Sequence, residues 1–409
     1  MLFLKSLILK HFRNHEDSVV SLAPGINIIH GRNGAGKTNI LEAIHYLCLG
    51  QSFLSSSDRF AVREGSPFFD LTATFIDPDG ATTLRMTCVP GEGKRFFVNG
   101  APLERLADIL GRFPCVVHSH DDHALTAGPP EERRRFVDSA LCQFRPVYTD
   151  NLIRFKRTLK QRNAALQAVR FRGAAASTLD SWNHELVVRG AAVASARLAF
   201  SQEFERYLRD AYERLAVVKE TPSLTYRPAG VHEVETADEF AEAYAARIAD
   251  VRMQEIDSAR TLVGPHRDEF RLALDGRELR RFASQGQHRT FGMALKIAEH
   301  RYLSERCEHA PILLLDDAFT HLDFERQRAF ADLFAEPDFG QTIMTAATFE
   351  PIATLVRDRA GSDVGLIEVS EGRVVSRASP QQPTPSQAQP QLRPLQHPQP
   401  VPQLIGETN

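Results

Sequence analysis

An apolar run, Ile26-Asn27-Ile28-Ile29-His30, leads directly into Gly31-Arg32-Asn33-Gly34-Ala35-Gly36-Lys37-Thr38. That octet matches G-x-x-x-x-G-K-[ST] in full. The segment after it, Asn39–Leu49, puts Ile40, Ile44, Leu47 and Cys48 on one helical face, and Gly50 supplies a stop. A strand must therefore deliver the chain to a turn that wraps an anion. A helix must then leave with its N–H groups facing the same anion. Glycine is needed wherever a side chain would block a polyphosphate. Gly31, Arg32, Asn33, Gly34, Ala35, Gly36, Lys37 and Thr38 are the expected nucleotide cradle. Lys37 is expected to reach the β- and γ-phosphates and the Thr38 hydroxyl to ligate Mg²⁺, which makes ATP and Mg²⁺ the expected cofactors.

The second half of such a site lies far along the chain. In Pro311-Ile312-Leu313-Leu314-Leu315-Asp316-Asp317 an apolar run ends in a carboxylate. This reads as a buried parallel strand with an acid at its C-terminal end, where α/β sheets place their ligands. Asp316 is the expected metal residue beside Thr38. Asp317 is expected to polarise the attacking water, a role usually held by Glu; its shorter side chain predicts slow hydrolysis. Upstream, Ser284-Gln285-Gly286-Gln287 opens a helical stretch from His288 to about Leu303. A Ser and a Gly at a helix start make a second anion site. The position is that of the ABC signature, commonly Ser-Gly-Gly-Gln, with Gln285 here replacing a Gly. Thr320-His321-Leu322-Asp323 follows at D-loop spacing. After the next strand, Gln341–Thr345, the chain offers Thr345, Ala346, Ala347 and Thr348 where a switch His is usual, so γ-phosphate sensing is expected to be weak. A signature motif completes its partner's nucleotide site. Ser284, Gly286 and Asp323 thus imply a head-to-tail homodimer with C₂ symmetry, two buried ATPs, and a catalytic set of Lys37, Asp317 and the partner-facing Ser284.

Short β-rich runs at Leu2–Leu9, Ile26–His30, Phe69–Phe75, Thr83–Val89, Pro114–Val117, Phe270–Leu274, Ile312–Leu315 and Thr342–Thr345 alternate with helical periodicity. The predicted fold is α/β, an ABC/SMC-like ATPase head with a helical insertion domain and a disordered C-terminal tail. The expected divisions are 1–130 (first half, with the phosphate loop), 131–259 (helical insertion), 260–376 (signature, acid strand and D-loop) and 377–409 (tail). Residues 379–409 hold eight of the 23 prolines and eight glutamines, a composition that cannot bury enough surface to offset ordering entropy.

The net charge of −3 does not announce a nucleic-acid binder, so charge must be read locally. Residues 133–172 carry eleven Lys/Arg against Asp138 and Asp150, whereas 232–257 carry eight acidic groups against Arg247 and Arg252. The basic block suits phosphate contacts, with Arg154, Lys156, Arg157 and Lys160 as the expected DNA-facing residues. Little base-reading equipment is visible, which predicts recognition by backbone and shape.

The chain resembles the RecF family of bacterial recombination-repair ABC-type ATPases. The likeness rests on Phe12-Arg13-Asn14, the phosphate loop with Thr38–Ile44, Arg133–Ser139, Leu159-Lys160-Gln161-Arg162-Asn163, Gly264-Pro265-His266-Arg267-Asp268, and Phe282–Thr290, in family order from residue 2 to about 350. The resemblance implies an ATP-driven homodimer that binds single-stranded or gapped DNA. It also implies work with RecR- and RecO-type mediators to load recombinase in an SOS-linked repair and replication-recovery role, with weak DNA-stimulated ATPase activity. It places Arg13 near the nucleotide. The chain departs from the family at Ser52–Asp58, which lacks the usual basic residues, and at Ser119-His120-Asp121-Asp122, where Ser-Pro-Glu-Asp is usual.

Three rivals compete. His118-Ser119-His120-Asp121-Asp122-His123 fits the H-x-H-x-D-H pattern of binuclear zinc hydrolases, but it interrupts an otherwise complete ABC frame. A transporter subunit would carry its signature closer to the phosphate loop. An SMC-like structural chromosome ATPase would need hundreds of heptad residues between Asn39 and Ala283. The five cysteines, Cys48, Cys88, Cys115, Cys142 and Cys307, form no C-x-x-C pair. With no signal sequence or long apolar span, a reducing cytoplasmic location is expected.

Overall fold

In a computed structural model of the chain, the described residues are 1–55, 57–119, 122–216, 218–317, 327, 332–333, 336, 339–347 and 364–378. The chain opens with a hairpin, β1 (Phe3–Phe12) and β2 (His15–Ser21), followed by β3 (Ile26–His30) and helix α1 (Lys37–Leu49). Next come β4 (Phe69–Asp77), β5 (Gly80–Val89), β6 (Gly93–Val98) and β7 (Ala101–Pro102). These complete an antiparallel sheet in the order β2-β1-β4-β5-β6-β7. After β8 (Cys115–His118) the chain turns helical, with α2 (His123–Ala127), α3 (Pro130–Cys142), α4 (Pro146–Arg172) and α5 (Asp180–Leu215). Then follow β9 (Pro222–Arg227), α6 (Ala237–Asp250), α7 (Arg252–Ser258), β10 (Glu269–Leu274), β11 (Arg277–Glu278), α8 (Leu279–Phe282) and α9 (Gln285–Ser304). The chain returns through β12 (Ile312–Leu315), β13 (Thr342–Ala346), β14 (Val364–Ser370) and β15 (Arg373–Ala378).

The central sheet has the order β15-β14-β3-β13-β12-β8. Its pairings are parallel except for β14 with β15. Strands covered on both faces read as continuous apolar runs, and the structure shows both covers. On β12, Ile312 and Leu314 join the core shared with α1 and the antiparallel sheet, whereas Leu313 and Leu315 join the core under the helices. On β3, Ile29 faces the first core and Ile26 and Ile28 the second. The period of two thus divides one strand between two hydrophobic layers.

Three of the sequence motifs distant from the phosphate loop prove to pin the helical region. Arg162 is buried; its guanidinium donates to Glu255 (2.5 Å), Asn183 (2.9 Å) and Thr261 (2.9 Å). Arg197 on α5 donates to both oxygens of Asp138 on α3 (2.8 and 3.1 Å) and to the Pro265 carbonyl (2.6 Å). A buried arginine of this kind holds its elements firmly, because loss of one partner strands the other charge.

The structure adds detail to several expectations. The basic block is less free than its composition suggests. Arg133 pairs with Glu269, Arg135 with Glu131 and Glu132, Arg145 with Glu203, and Arg162 with Glu255. The tail boundary at 377 falls inside β15, which continues to Ala378; residues 379–409 lie outside the described residues. Strands β2, β6, β14 and β15 were not among the expected runs. Their sequences, such as HEDSVVS and GKRFFV, mix charge with apolar groups and form partly exposed strands.

Candidate nucleotide site

The site is assembled at the C-terminal ends of three adjacent parallel strands, β3, β13 and β12. Gly31 leaves β3 at φ 151°, and a Cβ there would sit 2.1 Å from the Val369 carbonyl oxygen of β14. Gly36 has φ 111°, and a Cβ would meet Asn14 Oδ1 at 2.6 Å and His15 Nε2 at 2.7 Å. Both positions therefore demand glycine on two grounds, backbone region and space. Helix α1 starts with no side-chain cap and no acidic residue in its first turn, so its leading N–H groups are left for an anion.

The β1–β2 hairpin braces this loop from below. Asn14 Nδ2 donates to the Gly34 carbonyl (3.3 Å) and Asn39 Nδ2 donates to Asn14 Oδ1 (2.7 Å). His15 is fully buried, with Nε2 3.1 Å from the Gly36 carbonyl and Nδ1 3.0 Å from Ser18 Oγ. Burial lowers its pKa, the carbonyl contacts opposing that shift. Sequence reading missed His15, because a lone His in a polar strand carries no signal of a distant partner.

Lys37 is buried and its Nζ donates to the Gly31 (2.9 Å) and Arg32 (3.2 Å) carbonyls, which holds the cation over the loop. The Thr38 hydroxyl donates to Asp316 at 2.8 and 3.0 Å to its two oxygens, joining positions 278 residues apart. Thr345, at the end of the intervening strand β13, donates to Asp316 Oδ1 (2.8 Å) and accepts the Asp317 backbone N–H (2.9 Å). Burial raises the pKa of Asp316, and hydrogen bonds from Thr345 and Thr38 pull it back. Asp317 sits at φ 47°, a left-handed conformation that Asp tolerates better than most residues. Its Oδ1 is buried and has no hydrogen-bond partner among the described residues. A hydroxyl on a carboxylate beside an unsatisfied second carboxylate is a hard-oxygen donor set that fits Mg²⁺ and its waters.

Arg13 is held by partners within the chain. Its guanidinium forms a two-pronged pair with Glu42 of α1 (2.7 and 2.5 Å) and donates to the Phe60 carbonyl (2.6 Å). It positions the phosphate-loop helix from behind. Ser52 also bonds to the same Glu42 carboxylate.

Ser284 caps α9 in a reciprocal box: its Oγ accepts the Gln287 N–H (3.3 Å) and Gln287 Oε1 accepts the Ser284 N–H (2.7 Å). Gln287 Nε2 donates in turn to Glu220 (2.6 Å). Ser284 and Gln285 are exposed, and Gly286 is half-buried. Asp323 lies outside the described residues. Arg154, Lys156, Arg157 and Lys160 are all exposed on α4.

The segment read as a zinc pattern is organised differently. His118 Nδ1 lies 2.7 Å from Asp122 Oδ2, and the His123 ring meets the edge of His288 with centroids 5.3 Å apart. Burial would raise the Asp122 pKa, but Lys296, His118 and the Ser119 N–H outweigh it and the net shift is down. No cluster of three or more candidate metal ligands occurs among the described residues; His120 and Asp121 lie outside them. The His118 carbonyl accepts the Asp316 N–H (2.8 Å), so this segment supports the acid strand.

The profile of the RecF/RecN/SMC N terminal domain matches residues 3–354. The chain is 46% identical over 357 residues to the DNA replication and repair protein RecF of Salinibacter ruber, covering 86% of this chain and 87% of that protein. It is 38% identical over 353 residues to RecF of Chloroherpeton thalassium, covering 86% and 96%. Among solved structures it is similar to the recombination mediator protein RecF in a RecF-ATP structure from the RecFOR pathway, with TM-score 0.83 and 26% identity over 92% of this chain and 98% of that one. The Smc head domain of Pyrococcus furiosus shares the fold, with TM-score 0.54 at 16% identity over 93% and 97% of the two chains.

Proposed function

The chain belongs to the RecF family, and from that membership we propose that it works as an ATP-driven clamp, two copies closing on DNA when ATP is bound and releasing after hydrolysis. Its role is ATP-dependent and lies in DNA replication and repair. The observation that carries the clamp reading is the placement of Ser284. It stands exposed at the start of α9. Its hydrogen bonds run to Gln287, and through Gln287 to Glu220, whereas Lys37 and Thr38 bond to Gly31, Arg32 and Asp316. Among the described residues, phosphate loop and signature serine thus form separate hydrogen-bond groups, which supports a site shared between two copies.

In this reading the loop N–H groups and Lys37 bind the triphosphate, whose oxygens replace the carbonyls that Lys37 now meets. Thr38 and Asp316 would hold Mg²⁺, which neutralises charge developing on the phosphate oxygens. Asp317 orients the attacking water, and Thr345 keeps both acids in place. The partner's Ser284 and Gly286 close over the γ-phosphate. Arg13 acts through Glu42 on α1. The expected domain divisions, the D-loop Asp323, and partnership with RecR- and RecO-type mediators in loading recombinase belong to the same proposal. No described helix is long and apolar enough to cross a membrane.

The test is Ser284→Arg. Removing the cap costs about 1 kcal/mol of local stability, so the variant still folds and binds ATP. Sedimentation with a non-hydrolysable ATP analogue should show the wild type doubling in mass and the variant remaining a monomer. Unimpaired pairing by Ser284→Arg would sink the shared-site reading.

A further inference from the structure

The Gly264-Pro265-His266-Arg267-Asp268 motif has no place in the nucleotide site, yet four of its five residues are tied into the interior. Gly264 is buried at φ 122° and would set a Cβ 3.6 Å from the Phe155 ring of α4. The Pro265 carbonyl accepts from Arg197. His266 Nε2 lies 3.1 Å from the Thr261 carbonyl, and its ring centroid is 6.0 Å from that of Phe155. Asp268 is fully buried, with Oδ1 accepting the Ala229 N–H (2.7 Å) and Oδ2 bonded to Tyr226 and Tyr244. Only Arg267 is exposed, at the tip of a turn closed by its N–H to the Gly264 carbonyl (3.0 Å). A rigid turn whose neighbours are all spent on anchoring holds one arginine outward at low entropic cost.

The surroundings carry surplus positive charge. Among the described residues no carboxylate lies within salt-bridge distance of Arg267, Arg134, Lys160, Arg154 or Arg157. Arg134 Nη1 is engaged by the Asp268 carbonyl (2.7 Å). Its pKa is lowered by burial, with Arg197 adding to the shift and Glu131, Asp138 and Asp268 opposing it. The pKa of His266 falls to about 4 through burial, the cations Arg267, Arg134 and Arg162 contributing. Asp138 is paired with Arg197, and Lys156 Nζ lies 4.0 Å from it.

Helix α4 adds a second row. Lys156, Lys160, Asn163 and Gln167 recur at i, i+4, i+7 and i+11 and line a groove of about 480 Å³. Asn163 Oδ1 accepts from Thr261 (2.8 Å from the backbone N, 2.7 Å from Oγ1), so residues 261–266 run beside this edge from Asn163 back to Phe155 and Arg267 follows them directly. Arg154 and Arg157 sit further round the helix, as ~100° per residue requires.

We propose that Arg267 and the Lys156–Lys160 edge of α4 form one phosphate track for a nucleic-acid backbone, with Arg154 and Arg157 off its path. The inference rests on the DNA-binding reading above and narrows it to one edge of one helix plus a turn. The track offers cations and amides but no arrangement for base edges, so contacts run to phosphates and read no sequence.

The experiment measures ATP-dependent binding of the full chain to a fluorescent single-stranded oligonucleotide and to the same strand in a gapped duplex, across a salt series. Each lost phosphate contact lowers the slope of log K against log salt by roughly 0.7 to 0.9. Arg267→Gln and Lys160→Gln are each expected to lower it by that amount, with ATP binding and melting temperature unchanged. Arg154→Gln is expected to leave the slope as it is. An unchanged slope for Arg267→Gln in a chain that still binds DNA overturns the track while leaving the DNA reading intact. Failure of the wild type to bind either probe removes both.

Discussion

Thr345 bridges the two acids at the end of β12: it donates to Asp316 Oδ1 at 2.8 Å and accepts the Asp317 N–H at 2.9 Å. The strand order β3-β13-β12 puts this residue between the phosphate loop and the acid strand. The position where a switch His is usual thus belongs to a hydroxyl that organises carboxylates.

Thr345→Val keeps the shape and removes the hydroxyl. Asp316 loses a hydrogen bond that offsets burial, so its pKa rises further and its hold on a cation weakens. A lost charge-assisted bond is worth about 2 kcal/mol. The expected outcome is a roughly thirtyfold higher Mg²⁺ requirement for ATP hydrolysis. A Mg²⁺ titration of ATPase activity that overlays the wild type would remove the bridging role.

Arg13→Ala leaves the Glu42 carboxylate, 0% exposed, without its counter-ion. Breaking such a pair costs about 3 kcal/mol. Urea unfolding should show that loss, and Arg13→Ala with Glu42→Gln should recover much of it. The ATP Kd, measured where both proteins are folded, should move much less than stability does. A large Kd change with intact stability would return Arg13 to the nucleotide.

The contrast between these residues shows what a sequence discloses. Strand β3, the glycines and β12 were legible because each pattern is local: a period-two apolar run, a required backbone conformation, an acid at a strand end. Helix α9 was legible because Ser284 and Gln287 cap one another within a single turn. Thr345, His15 and the Arg13–Glu42 pair were not, since each gains its role from a partner fixed by sheet order. Within the basic block, composition likewise cannot tell Arg162, paired with Glu255 in the interior, from Lys160 on the surface.

His300 on α9 is buried, stacked on Phe339 with centroids 4.5 Å apart, and its Nε2 lies 3.1 Å from the Pro311 carbonyl. Burial drives its pKa down to about 4. The unfolded chain, with an ordinary value of 6.5, binds the extra proton between those limits. Stability from this group is therefore full above pH 6.5 and is lost as pH falls toward 4. His45 and His266 behave alike. His300→Gln should lower the slope of unfolding free energy against pH in that window by at most roughly 1.4 kcal/mol per unit. Urea midpoints at several pH values read this, and an unaltered slope would contradict it.

Asp317 presents a buried carboxylate oxygen with no hydrogen-bond partner among the described residues, at φ 47°, a geometry suited to holding one water rather than to packing. Asp317→Asn keeps the volume and removes the proton acceptor. Hydrolysis should fall by about a hundredfold or more, while ATP binding persists and the ATP-bound pair accumulates in sedimentation. Asp317→Glu restores the longer side chain usual at this place, but a β-carbon at positive φ costs about 1 kcal/mol for a residue that tolerates it less well than Asp. If reach limits the wild-type rate, turnover rises in Asp317→Glu despite a lower melting temperature. If turnover falls in step with stability, the left-handed backbone is already matched to the shorter acid, and slow hydrolysis has another source. Full activity in Asp317→Asn would place the water-orienting group elsewhere.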